Sequence, residues 1–373
     1  MKKAYGFPSM HKETNEKRAF LPEFFGKMKD FGIDIFLEHG YGSKMGYSSE
    51  DYLKENDGII FSTKETVYSK DVVTVLRAPS DDEYKMMKKG AVIISMLHYP
   101  TRELRNQFME ELDLIPFSMD SMVDDDHRRV VVNNYKTSYN GAKIAIEELE
   151  KVIDTQSLDR PVNVSIIGMG EIGLTVAKSF KDLSNSRLKK HGSSYKGLKV
   201  NMLTRSITNN EEILTEEISK SDILVDASSR HDTSIHIVSN DLIGKTLPHT
   251  VLLDITADPY DFEKNPPQVK AIEGIPTGTL DHIVFSKNDP IYDNLNDELE
   301  NKMKLTNRRV VVSCNAWPGV DPVASEEIYG RQMLPIIKVL VEHGEDNLSI
   351  ESRDYYERIL VRSSYKYFLE EVM

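Results

Sequence analysis

The sequence predicts an α/β protein: two Rossmann-like domains on parallel sheets, the second inserted into a discontinuous first. Three observations carry that prediction. Short apolar, β-branched runs alternate with helical patterns over the 373 residues, as parallel sheets covered on both faces require. One such run, at 162–167, leads straight into Gly168-Met169-Gly170-Glu171-Ile172-Gly173 and then into a helical stretch. Two long helical patterns, at 138–154 and 322–343, stand on either side of the glycine-bearing half and would make the crossings.

In chain order, residues 19–31 read as a helix and 33–37 as a strand. Residues 71–76 and 91–97 are buried-strand runs, followed by helical stretches at 82–89 and 101–112. This first domain has no glycine fingerprint of its own. The pattern at 138–154 places Ala142, Ile144, Ala145, Ile146, Leu149 and Val152 on its apolar positions. Strands are expected at 162–167, 198–203, 223–225, 251–255 and 309–313, then the helix at 322–343 and a helical tail. The boundaries that follow are 1–137 with 320–373 for the catalytic domain and 138–319 for the inserted one, with the substrate cleft between them.

Bulk properties narrow the function. Hydrophobic residues at 39% and charged residues at 29% fit a soluble globular protein. A net charge of −13 argues against nucleic acid, whose phosphates need a basic surface. An acidic substrate would have to be caught by local arginines. Cys314 is the one cysteine, so no internal disulfide or cysteine zinc site forms, and a cytoplasmic location is expected. No apolar run approaches the ~18 residues of a membrane span, and no apolar stretch follows Lys2 and Lys3. Asp124, Asp125 and Asp126 are consecutive, so their side chains diverge. They read as a solvated loop, and no metal is expected.

Strand, glycine turn and helix is the context a dinucleotide fingerprint needs. Gly168 would make the tight turn, Gly170 would let a pyrophosphate approach the backbone, and Gly173 would let helix and strand pack closely. With Met169, Glu171 and Ile172 they form the expected cofactor contacts, at a helix start whose free N–H groups favour phosphate. The next strand ends Leu203-Thr204-Arg205-Ser206. An NAD site usually has an acid there for the ribose hydroxyl, whereas Thr204, Arg205 and Ser206 suit a 2′-phosphate. NADP is therefore favoured, with NAD as the alternative. Ser228, Asp254 and Asp258, after the third and fourth strands, complete the cofactor set.

Open α/β sheets bind ligands at the carboxyl ends of their strands, and several chemistry-bearing residues stand there. Arg18 is read as opening a helix, where a guanidinium can grip a carboxylate with two parallel bonds. Arg77 directly follows the run at 71–76. His98 follows the run at 91–97 and titrates near neutrality, so it can act as acid or base. Asp258 would reach furthest from the fourth strand. Arg128 and Arg129 close the charged loop. Taken singly, each also reads as a solvated or structural residue.

Together these pieces resemble the alanine dehydrogenase/transhydrogenase family, which includes lysine-forming saccharopine dehydrogenase and N5-(carboxyethyl)ornithine synthase. Lys12-Glu13 through Arg18 to Pro22 is similar to the family's opening segment, and Arg77-Ala78-Pro79 stands where it has Lys-x-Pro. Leu97-His98, Asp254-Ile255-Thr256-Ala257-Asp258 and Asn315-Ala316-Trp317-Pro318-Gly319 are similar to further motifs of the family. Arg128-Arg129-Val130 with Tyr139-Asn140-Gly141, and Ala324-Ser325-Glu326 with Met333-Leu334-Pro335, resemble the saccharopine branch. Arg205 is similar to the NADP-using synthase.

The resemblance implies reversible hydride transfer between nicotinamide and the α-carbon of an amino or imino acid, that is, reductive amination of a 2-oxo acid. The partners would be that oxo acid and an amine or amino acid. Arg18 and Arg77 would hold the substrate carboxylate, His98 would move protons, Asp258 would orient groups near the nicotinamide, and Arg128 or Arg129 would hold a second carboxylate. That second carboxylate favours an opine or saccharopine product over alanine. Arg77 is the departure, because arginine stays charged and cannot be a general base. A catalytically inactive NADP-binding sensor is therefore the rival from another class. A homodimer is expected as the commonest assembly.

Overall fold

The computed structural model describes residues 2–230, 232–256, 259–293 and 304–372. The chain divides into two compact units, Met1–Asn133 with Asp321–Met373, and Asn134–Val320. The first boundary falls at 133/134 where 137/138 was expected, because the helix Asn134–Val152 begins ahead of its apolar pattern. Side chains hold that extra turn: Asn134 Nδ2 donates to Glu171 at 2.6 Å and the Tyr135 hydroxyl to Asp182 at 3.1 Å.

The first unit is a parallel six-stranded sheet: β1 (Ala4–Phe7), β2 (Asp34–Glu38), β3 (Ile59–Ser62), β4 (Val72–Arg77), β5 (Val92–Met96) and β6 (Ile115–Ser118). Their order is β3-β2-β1-β4-β5-β6, the doubly wound arrangement. Strands β1, β3 and β6 are new relative to the sequence reading. Each has only four residues. Gly6 interrupts β1, where a Cβ would stand 2.1 Å from the Val67 carbonyl oxygen of the helix Lys64–Tyr68. Pro116 interrupts β6, which an edge strand tolerates.

The expected helix at 19–31 shrinks to Pro22–Gly26. Proline belongs at a helix start, and the residues before it run extended, with the Phe20 amide donating to the Tyr41 hydroxyl at 3.0 Å. The stretch at 82–89 is helical only over Asp81–Tyr84, closed by the Ser80–Glu83 capping box. That at 101–112 becomes Glu103–Glu111. The long helix Pro322–His343 returns to this unit and buries Tyr329, Met333, Ile336, Ile337 and Leu340 in its core. The tail forms two helices, Tyr355–Arg362 and Tyr365–Val372.

The second unit has β7 (Val162–Ile167), β8 (Leu198–Leu203), β9 (Ile223–Asp226), β10 (Val251–Asp254), β11 (Val284–Phe285) and β12 (Val310–Ser313). Their order is β11-β12-β10-β9-β7-β8, all parallel except β11. Ala142, Ala145, Ile146 and Leu149 of the helix Asn134–Val152 pack on one face with Val164, Ile166 and Leu253. Leu214, Ile218, Leu242 and Ile243 cover the other.

In both sheets the chain reverses its direction of winding at the first strand. The carboxyl ends of β1 and β4, and of β7 and β9, therefore flank the crevices in which such sheets bind ligands.

Candidate functional site

In the second unit the crevice is a groove of about 640 Å³ at the ends of β7, β8 and β9. Gly168, Met169, Gly170, Thr204, Arg205 and Ser228 line it. Each glycine has its own geometry. Gly168 holds φ +103°, and a Cβ there would stand 2.5 Å from the Ala227 carbonyl oxygen. A Cβ on Gly173 would stand 2.3 Å from the Gly168 oxygen, so this residue seats the helix Glu171–His191 against the strand end. A Cβ on Gly170 would meet nothing within 4 Å among the described residues. Its open side is free for a ligand to approach the backbone, at the residue that precedes that helix.

Other expected cofactor contacts also have partners within the protein. Ile172 packs against the core. Glu171 accepts from Asn134. Ser206 bonds Thr204 hydroxyl to hydroxyl at 2.7 Å. Ser228 turns its hydroxyl back to Asp226 at 2.7 Å.

Asp254 is fully buried; its carboxylate takes bonds from Lys270 at 2.6 Å, Ser313 at 3.0 Å and Thr256 at 2.8 Å. Having partners on every side, it braces the strand end and presents no oxygen to the groove. Beside it, burial and the charge of Asp254 push the Asp226 carboxyl up to about 6. Asp258 lies outside the described residues. The sequence reading missed Arg230 and His236, which also line the groove; a loop of serines, arginine and histidine carries no spacing that marks it. Arg205 is exposed, with one guanidinium nitrogen 3.5 Å from the Ser229 carbonyl oxygen.

In the first unit the loop after β1 and the end of β4 build a network of opposite charges. Arg18 does not open a helix. It lies buried in extended chain, and its guanidinium donates to both oxygens of Glu16, at 2.9 and 2.6 Å. Burial opposes the charge on both side chains, and their mutual attraction outweighs it: Glu16 is held below its usual pKa and Arg18 above. A register shift in β4 after Thr74 sets Arg77 opposite Met96, and Arg77 Nη1 reaches Glu13 at 2.7 Å and Glu16 at 3.5 Å. Glu326, fully buried near Arg18, has no hydrogen-bond partner on either oxygen among the described residues; burial raises its pKa to about 8, Arg18 opposing and Glu16 reinforcing.

His98 follows β5 in a left-handed backbone conformation, φ 54°, with its side chain half exposed. Its Nδ1 lies 3.3 Å from Asp120, which also accepts from the Ser118 hydroxyl at 2.7 Å and the His98 amide at 3.1 Å. Burial works against this carboxylate, and the His98 and Ser118 bonds overcome it, bringing its pKa down to about 2. A charged acid thus orients the imidazole, a pairing the sequence left hidden because the two stand 22 residues apart.

The paired arginines divide. Arg129 lies within electrostatic reach of Tyr329, itself close to Arg18 and Glu326. Arg128 is exposed and pairs within its own turn with Asp126, at 3.2 Å. Of the neighbouring acids, Asp125 is gripped by Arg358 and Arg362, at 2.6 and 2.7 Å.

Residues 9–136 match the family described as alanine dehydrogenase/PNT, N-terminal domain. The NAD(P) transhydrogenase subunit alpha of Haemophilus influenzae is 20% identical over 369 residues, 94% of this chain and 68% of that protein. Alanine dehydrogenase 1 of Staphylococcus aureus is 27% identical over 112 residues, 30% of each chain. Among solved structures, an L-alanine dehydrogenase matches with TM-score 0.70 at 16% identity, over 97% of this chain and 94% of that one. A transhydrogenase from Sinorhizobium meliloti gives 0.63 at 17%, over 91% and 95%. Identities this low establish the fold alone, two mostly parallel Rossmann-like units. No helix among the described residues is long and apolar enough to cross a membrane. Residues 9–136 thus match the alanine dehydrogenase/PNT N-terminal domain, and the chain shares the fold of an alanine dehydrogenase and a transhydrogenase.

Proposed function

We propose that this protein is a nicotinamide-dependent dehydrogenase that reductively couples a 2-oxo acid with an amine, an opine- or saccharopine-type product being favoured over alanine. The observation that carries the reading is the open face of Gly170 within a turn that Gly168 and Gly173 lock against their neighbours. Such a turn at a helix start offers backbone N–H groups to a pyrophosphate. The residues present fit the cofactor, which would supply or accept the hydride. Arg205 at the groove edge, with no acid among Thr204, Arg205 and Ser206, supports NADP over NAD.

The first unit would supply the substrate chemistry. His98, oriented by Asp120, would move the protons. Arg18 and Arg77 would position carboxylates, and Arg129 is better placed than Arg128 to meet a second one. Asp258 remains the proposed group beside the nicotinamide. A cytoplasmic homodimer completes the proposal. The test is a matrix of 2-oxo acids against amines, with oxidation of NADPH and NADH followed by absorbance. Oxidation that requires both co-substrates supports the reading, and none under any pairing, with the cofactor shown to bind, removes it.

One observation favours the rival, a nucleotide-binding sensor without turnover. Glu16 and Glu13 already occupy Arg18 and Arg77, as an inactive site would permit. Tight NADPH binding with no turnover, and no change on His98→Ala, would select it. A second rival is an alanine dehydrogenase, in which ammonia serves as the amine. The Staphylococcus aureus relative bears that name, and the matrix separates it by its amine.

A further inference from the structure

A cavity of about 400 Å³ opens between the short helix Pro22–Gly26 and the long helix Pro322–His343, both in the first unit. That volume is within the ~300–1,000 Å³ of small-molecule sites. Leu21, Phe24 and the bare backbone of Gly330 give it apolar walls. The exposed charges that line it balance. Glu327 pairs with Arg331 at 3.3 Å, and Glu23 and Lys27 add one charge of each sign. The remaining ionisable group in the lining is Glu326, which is 1% exposed. Neither of its oxygens has a hydrogen-bond partner among the described residues. The groups within electrostatic reach of it are Arg18, Glu16, Tyr41, Tyr52 and Tyr329. Arg18 is committed to both oxygens of Glu16, and the Tyr52 hydroxyl donates to the Phe20 carbonyl at 3.0 Å. A buried acid without any partner is costly, so this position calls for a group that the protein does not itself supply.

We propose that the cavity binds a primary ammonium group carried on a short apolar chain, with Glu326 as its counter-ion. The ammonium is compact and brings three N–H donors to two vacant carboxylate oxygens. Its chain would lie against Leu21 and Phe24. An anion would meet the same acid with no counter-charge beside it. Burial holds Glu326 neutral near pH 7, its pKa raised to about 8. Binding of a cation reverses that balance: the carboxyl group ionises, and its proton leaves to solvent. The carboxylate then joins Glu16 near Arg18, so an occupied cavity is felt at the arginine proposed for the substrate carboxylate. The site itself does not depend on the dehydrogenase reading.

The test is calorimetric titration of the full chain at pH 7 in two buffers of different ionisation enthalpy, which reads binding and proton release together. The probes are butylammonium and leucine, which separate a simple amine from an amino acid, with butyrate as the anionic control. Saturable binding of at least one amine is expected, with release of about one proton, and none of butyrate. The release should fade by about pH 9, where the free acid is already ionised. An ammonium held only by solvated carboxylates would release no proton. Glu326→Gln keeps the shape and cannot ionise; it should weaken binding roughly 10- to 150-fold and abolish the proton release. Leu21→Trp leaves Glu326 in place and fills the cavity from its wall, so it should weaken binding too, and it carries the test should the glutamine variant not fold. Failure of both amines to bind, binding without proton release, or binding that either folded variant keeps at wild-type strength overturns the proposal.

Discussion

Substituting Gly170 by alanine separates cofactor binding from folding. Its backbone sits at φ −71° and ψ −176°, which any residue adopts, and the added methyl would meet no atom of the described residues within 4 Å. Alanine in such a position stabilises by about 0.4–1 kcal/mol, through the unfolded chain, so the melting temperature should hold or rise. The methyl would occupy the space where a pyrophosphate oxygen approaches the amides. Losing one hydrogen bond to a charged oxygen costs roughly 1.5–3 kcal/mol, about 10- to 150-fold in Kd. Trp317, the one tryptophan, lies in the core of the same unit, so its fluorescence reports the folding of that unit in the same sample that is titrated with NADPH. Gly168→Ala is the contrast. Strain at φ +103° costs roughly 1–3 kcal/mol, and the 2.5 Å approach to Ala227 adds to it, so that variant should melt earlier. A Gly170→Ala protein that binds NADPH like the wild type, or that unfolds, would refute the reasoning.

Three further outcomes are expected. Arg205→Ala should weaken NADPH by about 10-fold or more, one charge-assisted bond, and leave NADH unchanged when both are titrated. Lys270→Met should cost roughly 3–5 kcal/mol in urea unfolding, because it strands the buried carboxylate of Asp254 beside Asp226; a loss under about 1 kcal/mol would show that the pair is not a brace. Glu326 carries a folded pKa of about 8 against 4.5 ordinarily. Its stabilising contribution is full below pH 4.5 and is lost as pH rises towards 8. Glu326→Gln should therefore flatten the fall in melting temperature across that window, and an unchanged fall would count against a buried neutral acid.

Much of this was legible in the residues because it is local. Val162–Ile167 running into three spaced glycines announces a turn, a groove and the first strand of a unit, and β7, β8 and the helix Pro322–His343 lie where their apolar patterns put them. β1, broken by Gly6, β6, broken by Pro116, and the half-exposed β3 left no clear apolar run, and pairing in the sheet forms them. Arg77 and His98 were visible past strand ends, and Arg18 as the expected opening of a helix. Their partners Glu16, Glu13 and Asp120 were not, because which acid meets which base is set by the loop after β1 and the register shift in β4. The partner of Asp254 was hidden for the same reason. Its buried cation, Lys270, sits 16 residues on, in a stretch with no motif.

The most direct measurement follows the hydride itself. NADPH carrying deuterium at nicotinamide C4 is turned over with a 2-oxo acid and an amine, and the product is weighed by mass spectrometry. One deuterium on the α-carbon of the new amine is the outcome expected from one of the two C4 epimers. Product without label from either epimer, or bound NADPH that never loses its deuterium, would leave the groove at Gly168–Gly170 as a nucleotide holder and nothing more.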